Sequence, residues 1–137
     1  MSDERKIKSF RDLDVWQKSH QLTKDVFSLT DGFPRRYLFD LTAQLRRAAL
    51  SIPTNIAEGC ASSSSKELLQ FVNVSKRSVS EVQYLLFFAF EQALIEEDQF
   101  HELDAKYEQV NRMLGGLRRS LRSLATRHSA LITRDVH

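Results

Sequence analysis

Residues 100–124, FHELDAKYEQVNRMLGGLRRSLRSL, decide the fold. Phe100, Leu103, Tyr107, Val110, Leu114, Leu117, Leu121 and Leu124 recur in steps of three and four without an error. That is the spacing of a helix that packs one apolar stripe against its neighbours with a left-handed, coiled-coil-like twist. Gly115 and Gly116 interrupt it with poor helix formers, each costing up to ~1 kcal/mol relative to alanine. The close approach of another helix is the expected reason.

Three more stripes lie upstream. Leu68, Val72, Ser75, Val79, Val82, Leu86 and Ala89 mark a third helix, opened by the capping-box pair Ser64 and Glu67 and ending near Ala93 to Glu97. Leu41, Leu45, Ala48, Ile52 and Ile56 mark a second, closing at Gly59. Pro53 lies inside it and removes a backbone donor, which predicts a kink or a broken turn. Val15, Ser19, Leu22, Val26, Leu29 and Phe33 mark the first, with Trp16 and Phe27 beside them, Asp12 as the N-cap, and Gly32 and Pro34 as the stop. Short connections between long helices imply antiparallel neighbours, hence an all-α, up-down-up-down four-helix bundle over residues 10–126. Residues 1–9 read as a flexible N-terminus and residues 127–137 as a flexible C-terminal tail.

The rest of the composition agrees. The 137 residues are 42% apolar and 28% charged, which suits one soluble globular domain. Only 4 glycines and 2 prolines disfavour an all-β fold with its many tight turns. A single cysteine, Cys60, excludes an intrachain disulfide framework and a cysteine-built zinc site. No apolar run approaches the ~18 residues of a membrane span and none resembles a signal peptide, so a cytoplasmic chain without membrane contact is expected. Chemistry is sparse. His20, His101, His128 and His137 lack metal-ligand spacing, and there is no phosphate-cradling glycine loop or nucleophile elbow. Cys60 has no base or second thiol near it in sequence. No catalytic residue, no metal and no cofactor are expected.

Charge and apolarity are unevenly spread. Glu91 to Glu108 holds seven acids and one base, and the remainder carries +8. Arginines outnumber lysines 13 to 7, which suits phosphate ligands. The candidate phosphate contacts are Arg46, Lys66, Lys76, Arg77, Arg112, Arg118, Arg119 and Arg122; the plain alternative is a set of solvated helix faces. Residues 84–90 are apolar throughout, more than one stripe needs, so Tyr84, Phe87, Phe88 and Phe90 are candidates for a subunit interface. Gln44, Arg47, Ser51, Asn55 and Glu58 form a polar stripe on helix two. Ser78 and Glu81 can meet it from helix three, with Arg47 paired to Glu58 or Glu81.

Three stretches carry a resemblance. They are Phe10-Arg-Asp-Leu-Asp-Val-Trp16-Gln-Lys, then Leu41-Thr-Ala-Gln44-Leu-Arg46-Arg47-Ala-Ala-Leu-Ser51-Ile-Pro53-Thr-Asn55-Ile-Ala-Glu58-Gly59, then Ser75-Lys-Arg-Ser78-Val-Ser-Glu81. Together they resemble the four-helix-bundle family encoded in intervening sequences of bacterial 23S ribosomal RNA genes. The accessory variability protein of diversity-generating retroelements is similar to that family in fold. Two departures stand out: Arg77 replaces the usual glycine, and Cys60-Ala-Ser-Ser-Ser-Ser replaces an aromatic and basic continuation. The resemblance implies that the polar stripe is a structural network and that the chain forms a homopentamer. It also implies, in the retroelement relatives, a basic surface that engages nucleic acid and a reverse transcriptase.

Two readings follow. The first is a non-enzymatic homo-oligomer that binds RNA or DNA through its backbone phosphates, without strong sequence preference. The second is a protein-interaction scaffold with no direct nucleic-acid role, docking a protein partner on the apolar run or the acidic segment.

Overall fold

Ser9 begins the described structure. Its hydroxyl accepts from the Arg11 amide at 3.0 Å while the Asp12 carboxylate accepts from the Ser9 amide at 3.2 Å. This reciprocal cap holds a 3-10 turn, Phe10–Asp12, and Leu13 is then the N-cap of α1 (Asp14–Asp31), one residue later than the Asp12 expected. The computed structural model describes residues 9–136, without the side chains of residue 125 and residues 127–136. Of the stretch 1–9 expected to be flexible, residues 1–8 lie outside the described residues, and Ser9 is the cap just given.

Gly32 ends α1, a 3-10 turn (Arg35–Tyr37) follows, and a wide π turn (Leu38–Thr42) leads into α2 (Ala43–Cys60). Phe39, on the π turn, is 91% exposed. The broken turn expected at Pro53 does not occur: α2 is one helix from Ala43 to Cys60. Proline deprives the carbonyl four residues earlier of its donor. That carbonyl, on Ala49, lies 3.1 Å from the Thr23 hydroxyl of α1, whose one proton it shares with the Ser19 carbonyl at 2.7 Å.

Ser64 caps α3 (Ser65–Glu91) by accepting from the Glu67 amide at 3.1 Å. Ala93 then takes φ 61°, and the Ala93 and Leu94 amides reach back to the Phe90 and Ala89 carbonyls, each at 2.9 Å. This is a Schellman stop with alanine where glycine is the usual choice. α4 (Glu97–Val136) continues helical through the stretch expected to be a flexible tail. Nothing from Arg127 to Val136 is glycine or proline, so no stop signal ends it earlier.

The four helices form an all-α bundle in which α2 packs on α1 and α3, and α4 packs on α3 and α1. Val26, Leu45, Ile52, Ile56, Val72, Val79, Val82, Leu86, Tyr107, Val110 and Leu114 are buried between them. The α4 stripe loses its cover toward the C-terminal end: Leu121 is buried, but Leu124 is 48% exposed. No helix among the described residues is long and apolar enough to cross a membrane.

The glycines reverse one expectation. A Cβ on Gly59 would meet Leu68 Cδ1 at 2.6 Å and Phe71 Cβ at 3.0 Å, so the close α2–α3 approach needs glycine there. A Cβ on Gly115 or Gly116 would meet only charged side-chain ends, Lys76 Nζ and the Arg119 guanidinium, at 3.7–3.8 Å. The expected close helix approach at Gly115 and Gly116 is absent.

Candidate nucleic-acid interface

The polar stripe comes first because it fixes the position of α3. Ser51 and Ser78 share a hydrogen bond of 2.8 Å, and Asn55 Nδ2 donates to the Ser51 carbonyl at 2.8 Å and to its hydroxyl at 3.0 Å. Ser75 donates to the Ile52 carbonyl at 3.0 Å, and Gln44 Nε2 donates to Glu81 at 3.2 Å. Arg47 and Glu58 do not join. Both are exposed, and Arg47 forms no ion pair among the described residues. They lie at the margins of a stripe whose middle alone is covered by α3.

The bonded arginine is its neighbour. Arg46 Nε donates to Thr30 Oγ1 at 2.7 Å, Nη2 donates to the Phe27 carbonyl at 3.2 Å, and the same nitrogen meets the Asp31 carboxylate at 2.8 Å. Its guanidinium also lies 4.7 Å from the Phe27 ring centroid. Arg46 ties α2 to the end of α1, so its donors are committed inside the fold rather than offered to a phosphate. Successive helix residues lie ~100° apart, and that rotation exchanges the roles expected of Arg46 and Arg47.

The remaining cations divide. Lys76, Arg77, Arg118 and Arg122 line one cleft of about 410 Å³ between α3 and α4, with Asn73, Ser80 and Asn111. Arg119 borders the same place, beside Gly115 and Gly116. Lys66 and Arg112 are exposed and lie outside the cleft. Lys76 Nζ donates to the Asn111 carbonyl at 3.2 Å and to Asn111 Oδ1 at 2.6 Å. Partial burial, then the Arg118 and Arg119 charges, push its pKa below the usual lysine value, while Glu108 pulls the other way. Asn73 Oδ1 is buried without a hydrogen-bond partner among the described residues. Asn73 and Asn111 were missed in the sequence, although their spacing, three before Lys76 and four before Gly115, places them on those faces.

The aromatic run also divides. Tyr84, Phe87 and Phe88 are 60%, 43% and 38% exposed. Phe90, expected with them as a subunit contact, is half-buried and stacked on Phe100 of α4 with ring centroids 5.1 Å apart. The acidic segment carries local surface pairs, Glu102 with Lys106 at 3.1 Å and Glu97 with His101 at 3.5 Å. Burial raises the pKa of the Cys60 thiol, which disfavours the nucleophilic thiolate. No group of three or more potential metal ligands occurs among the described residues.

The fold has a solved counterpart. A crystal structure of a protein of unknown function, from the S23 ribosomal protein family of Bacteroides thetaiotaomicron, superposes with a TM-score of 0.72 at 20% identity. The match covers 77% of this chain and 95% of that one, and at this identity the likeness is one of fold. No curated protein matches the chain. The sequence profile of the 23S rRNA-intervening sequence proteins matches residues 11–116, an interval that holds the polar stripe, Lys76 and Arg77 but not Arg118, Arg119 or Arg122. The chain therefore belongs to the 23S rRNA-intervening sequence protein family.

Proposed function

We propose that the chain is a non-catalytic homo-oligomer, pentameric by family resemblance, that binds RNA or DNA through phosphate contacts without strong sequence preference. The observation that carries the reading is the α3–α4 cleft, where Lys76, Arg77, Arg118, Arg119 and Arg122 converge from two helices. None of the five forms an ion pair among the described residues, and Glu108 is the one acid that acts on Lys76 among them. A cleft lined by charge of one sign focuses its field and raises the local concentration of counter-ions. Self-association is supported by the exposed aromatics Phe39, Tyr84, Phe87 and Phe88. A ring of subunits would repeat the cleft, and weak phosphate contacts would then add.

The test is binding of purified protein to generic RNA and DNA across a salt series. Affinity is expected to fall steeply as salt rises. Replacing Arg118, Arg119 and Arg122 with glutamine should flatten the slope by about one unit per lost contact per bound chain. Absence of binding at low salt overturns the reading. The exposed aromatic surface would then favour the second one, a scaffold for a protein partner such as a reverse transcriptase.

A further inference from the structure

Gly115 and Gly116 weaken the interior of α4, since glycine in a helix is less favourable than alanine. No neighbouring helix needs them. What their missing side chains leave is room beside cations. A Cβ on Gly115 would stand 3.7 Å from Lys76 Nζ and 3.8 Å from Arg119 Nη1, and one on Gly116 would stand 3.7 Å from Arg119 Nη2. The Lys76 ammonium is held there by its two bonds to Asn111. An ammonium has three donors, so one remains to be given. Arg118 and Arg122 line the same cleft, and no carboxylate among the described residues does. Glu108, the acid that acts on Lys76, accepts from Gln83 Nε2 at 3.3 Å. Charges of one sign that stand this near repel one another, and an anion among them relieves the repulsion.

We propose that Gly115, with Gly116 next to it, leaves space at the edge of the cleft for a seat for one phosphate group, with Lys76 as its oriented donor, Arg119 beside the glycines and Arg118 and Arg122 lining the cleft. The ligand chemistry is a phosphate oxyanion, supplied by a nucleic-acid strand or free in solution. Guanidinium forks match such an oxyanion bidentately, and the compact ammonium meets it as a point charge. For a strand, the seat deepens the nucleic-acid reading above and rests on it. The glycines exchange helix stability for ligand space, and this exchange is what separates a binding role from a structural one.

The experiment uses the full chain and the double variant Gly115→Ala/Gly116→Ala. Three quantities are read: Tm without ligand, saturable binding of inorganic phosphate by NMR titration, and binding of one short RNA and one short DNA by fluorescence anisotropy. The expected result is a higher Tm with phosphate affinity lowered about tenfold and oligonucleotide affinity lowered severalfold. Lys76→Gln should lower phosphate affinity as well, while Lys66→Gln, outside the cleft, should leave it unchanged. A lower Tm in the double variant overturns the proposal, because the glycines would then serve the fold. So does wild-type phosphate affinity in that variant, or no saturable phosphate binding by the wild type. Oligonucleotide binding without a phosphate site sinks the seat and leaves the nucleic-acid reading standing. A phosphate site lost in the double variant, without any oligonucleotide binding, does the reverse.

Discussion

The two seams of α3 are built differently. Against α2, α3 presents small neutral groups that are bonded to one another: Ser78 to Ser51, with Asn55 behind it, and Ser75 to the Ile52 carbonyl. Gly59 brings the backbones together there, and Leu68 and Phe71 fill the space a side chain would need. Against α4, toward the C-terminal half of that helix, α3 presents Lys76 and Arg77 to Arg118 and Arg122. The charged groups there carry one sign, one buried acceptor on Asn73 has no partner among the described residues, and two glycines stand beside an ammonium and a guanidinium rather than a helix backbone. A seam that only has to hold the fold has no reason to keep such costs. Places where local rules are broken without a gain in packing are where function is expected.

One substitution made at both seams gives the largest contrast. Gly59→Ala should destabilise by about 2 kcal/mol, the cost of overpacking, because the Phe71 Cβ cannot swing aside as the end of Leu68 can. Gly115→Ala should instead stabilise by about 0.5–1 kcal/mol, the helix-propensity difference, since its Cβ meets only side-chain ends at ordinary contact distance. Urea denaturation of the two single variants measures both. Equal signs would erase the distinction between the seams.

Removing one polar partner at each seam gives a smaller contrast. Ser78→Ala leaves the Ser51 hydroxyl without its partner on α3, a loss of about 1 kcal/mol. Arg122→Gln, exposed at the other seam, should change stability by less than about 0.5 kcal/mol. If the arginine variant proves the costlier, its charge serves the fold and the cleft loses its claim to a ligand.

The sequence made the first seam legible and the second only in part. Four stripes of helical period placed the core on the correct faces, and the steps from Gln44 to Asn55 placed the serine ladder. The exchange between Arg46 and Arg47 shows where period alone fails. Adjacent helix residues differ by one rotation, and which of two arginines meets the end of α1 depends on the crossing of α1 and α2. Pro53 is the same kind of case. A kink or a broken turn was expected from the helix alone; the turn is not broken, and Thr23, from another helix, stands at the carbonyl that lost its donor. The glycine pair misled because a sequence shows that side chains are missing without showing what stands opposite. Here the neighbours are an ammonium and a guanidinium rather than a helix backbone. Lys76 and Arg118 lie far apart in the chain, so their meeting belongs to the fold.

The smallest effect asks whether an unsatisfied polar group by itself marks a site. Tyr107 is fully buried in α4, and its hydroxyl, like Asn73 Oδ1, has no hydrogen-bond partner. Unlike Asn73 it lines no cationic cleft. Desolvation, with a lesser contribution from Asp25, raises its pKa well above that of a free phenol. A buried hydroxyl without a partner is a cost, so Tyr107→Phe should raise stability at pH 7 by about 0.5–1 kcal/mol. The sign at high pH follows from linkage. Below pH ~10 the phenol is neutral folded or unfolded; above it the unfolded chain ionises first, and the wild type loses stability as pH rises. Phenylalanine has no such loss, so its advantage should widen between pH 9 and about 11 in urea titrations. Phosphate binding by this variant should match the wild type, because Tyr107 is outside the cleft. A gain in stability without loss of binding would mean that burial without a partner is only a cost here, and that the cations make the α3–α4 seam a site. Weakened phosphate binding in Tyr107→Phe would join the two regions and remove the contrast between them.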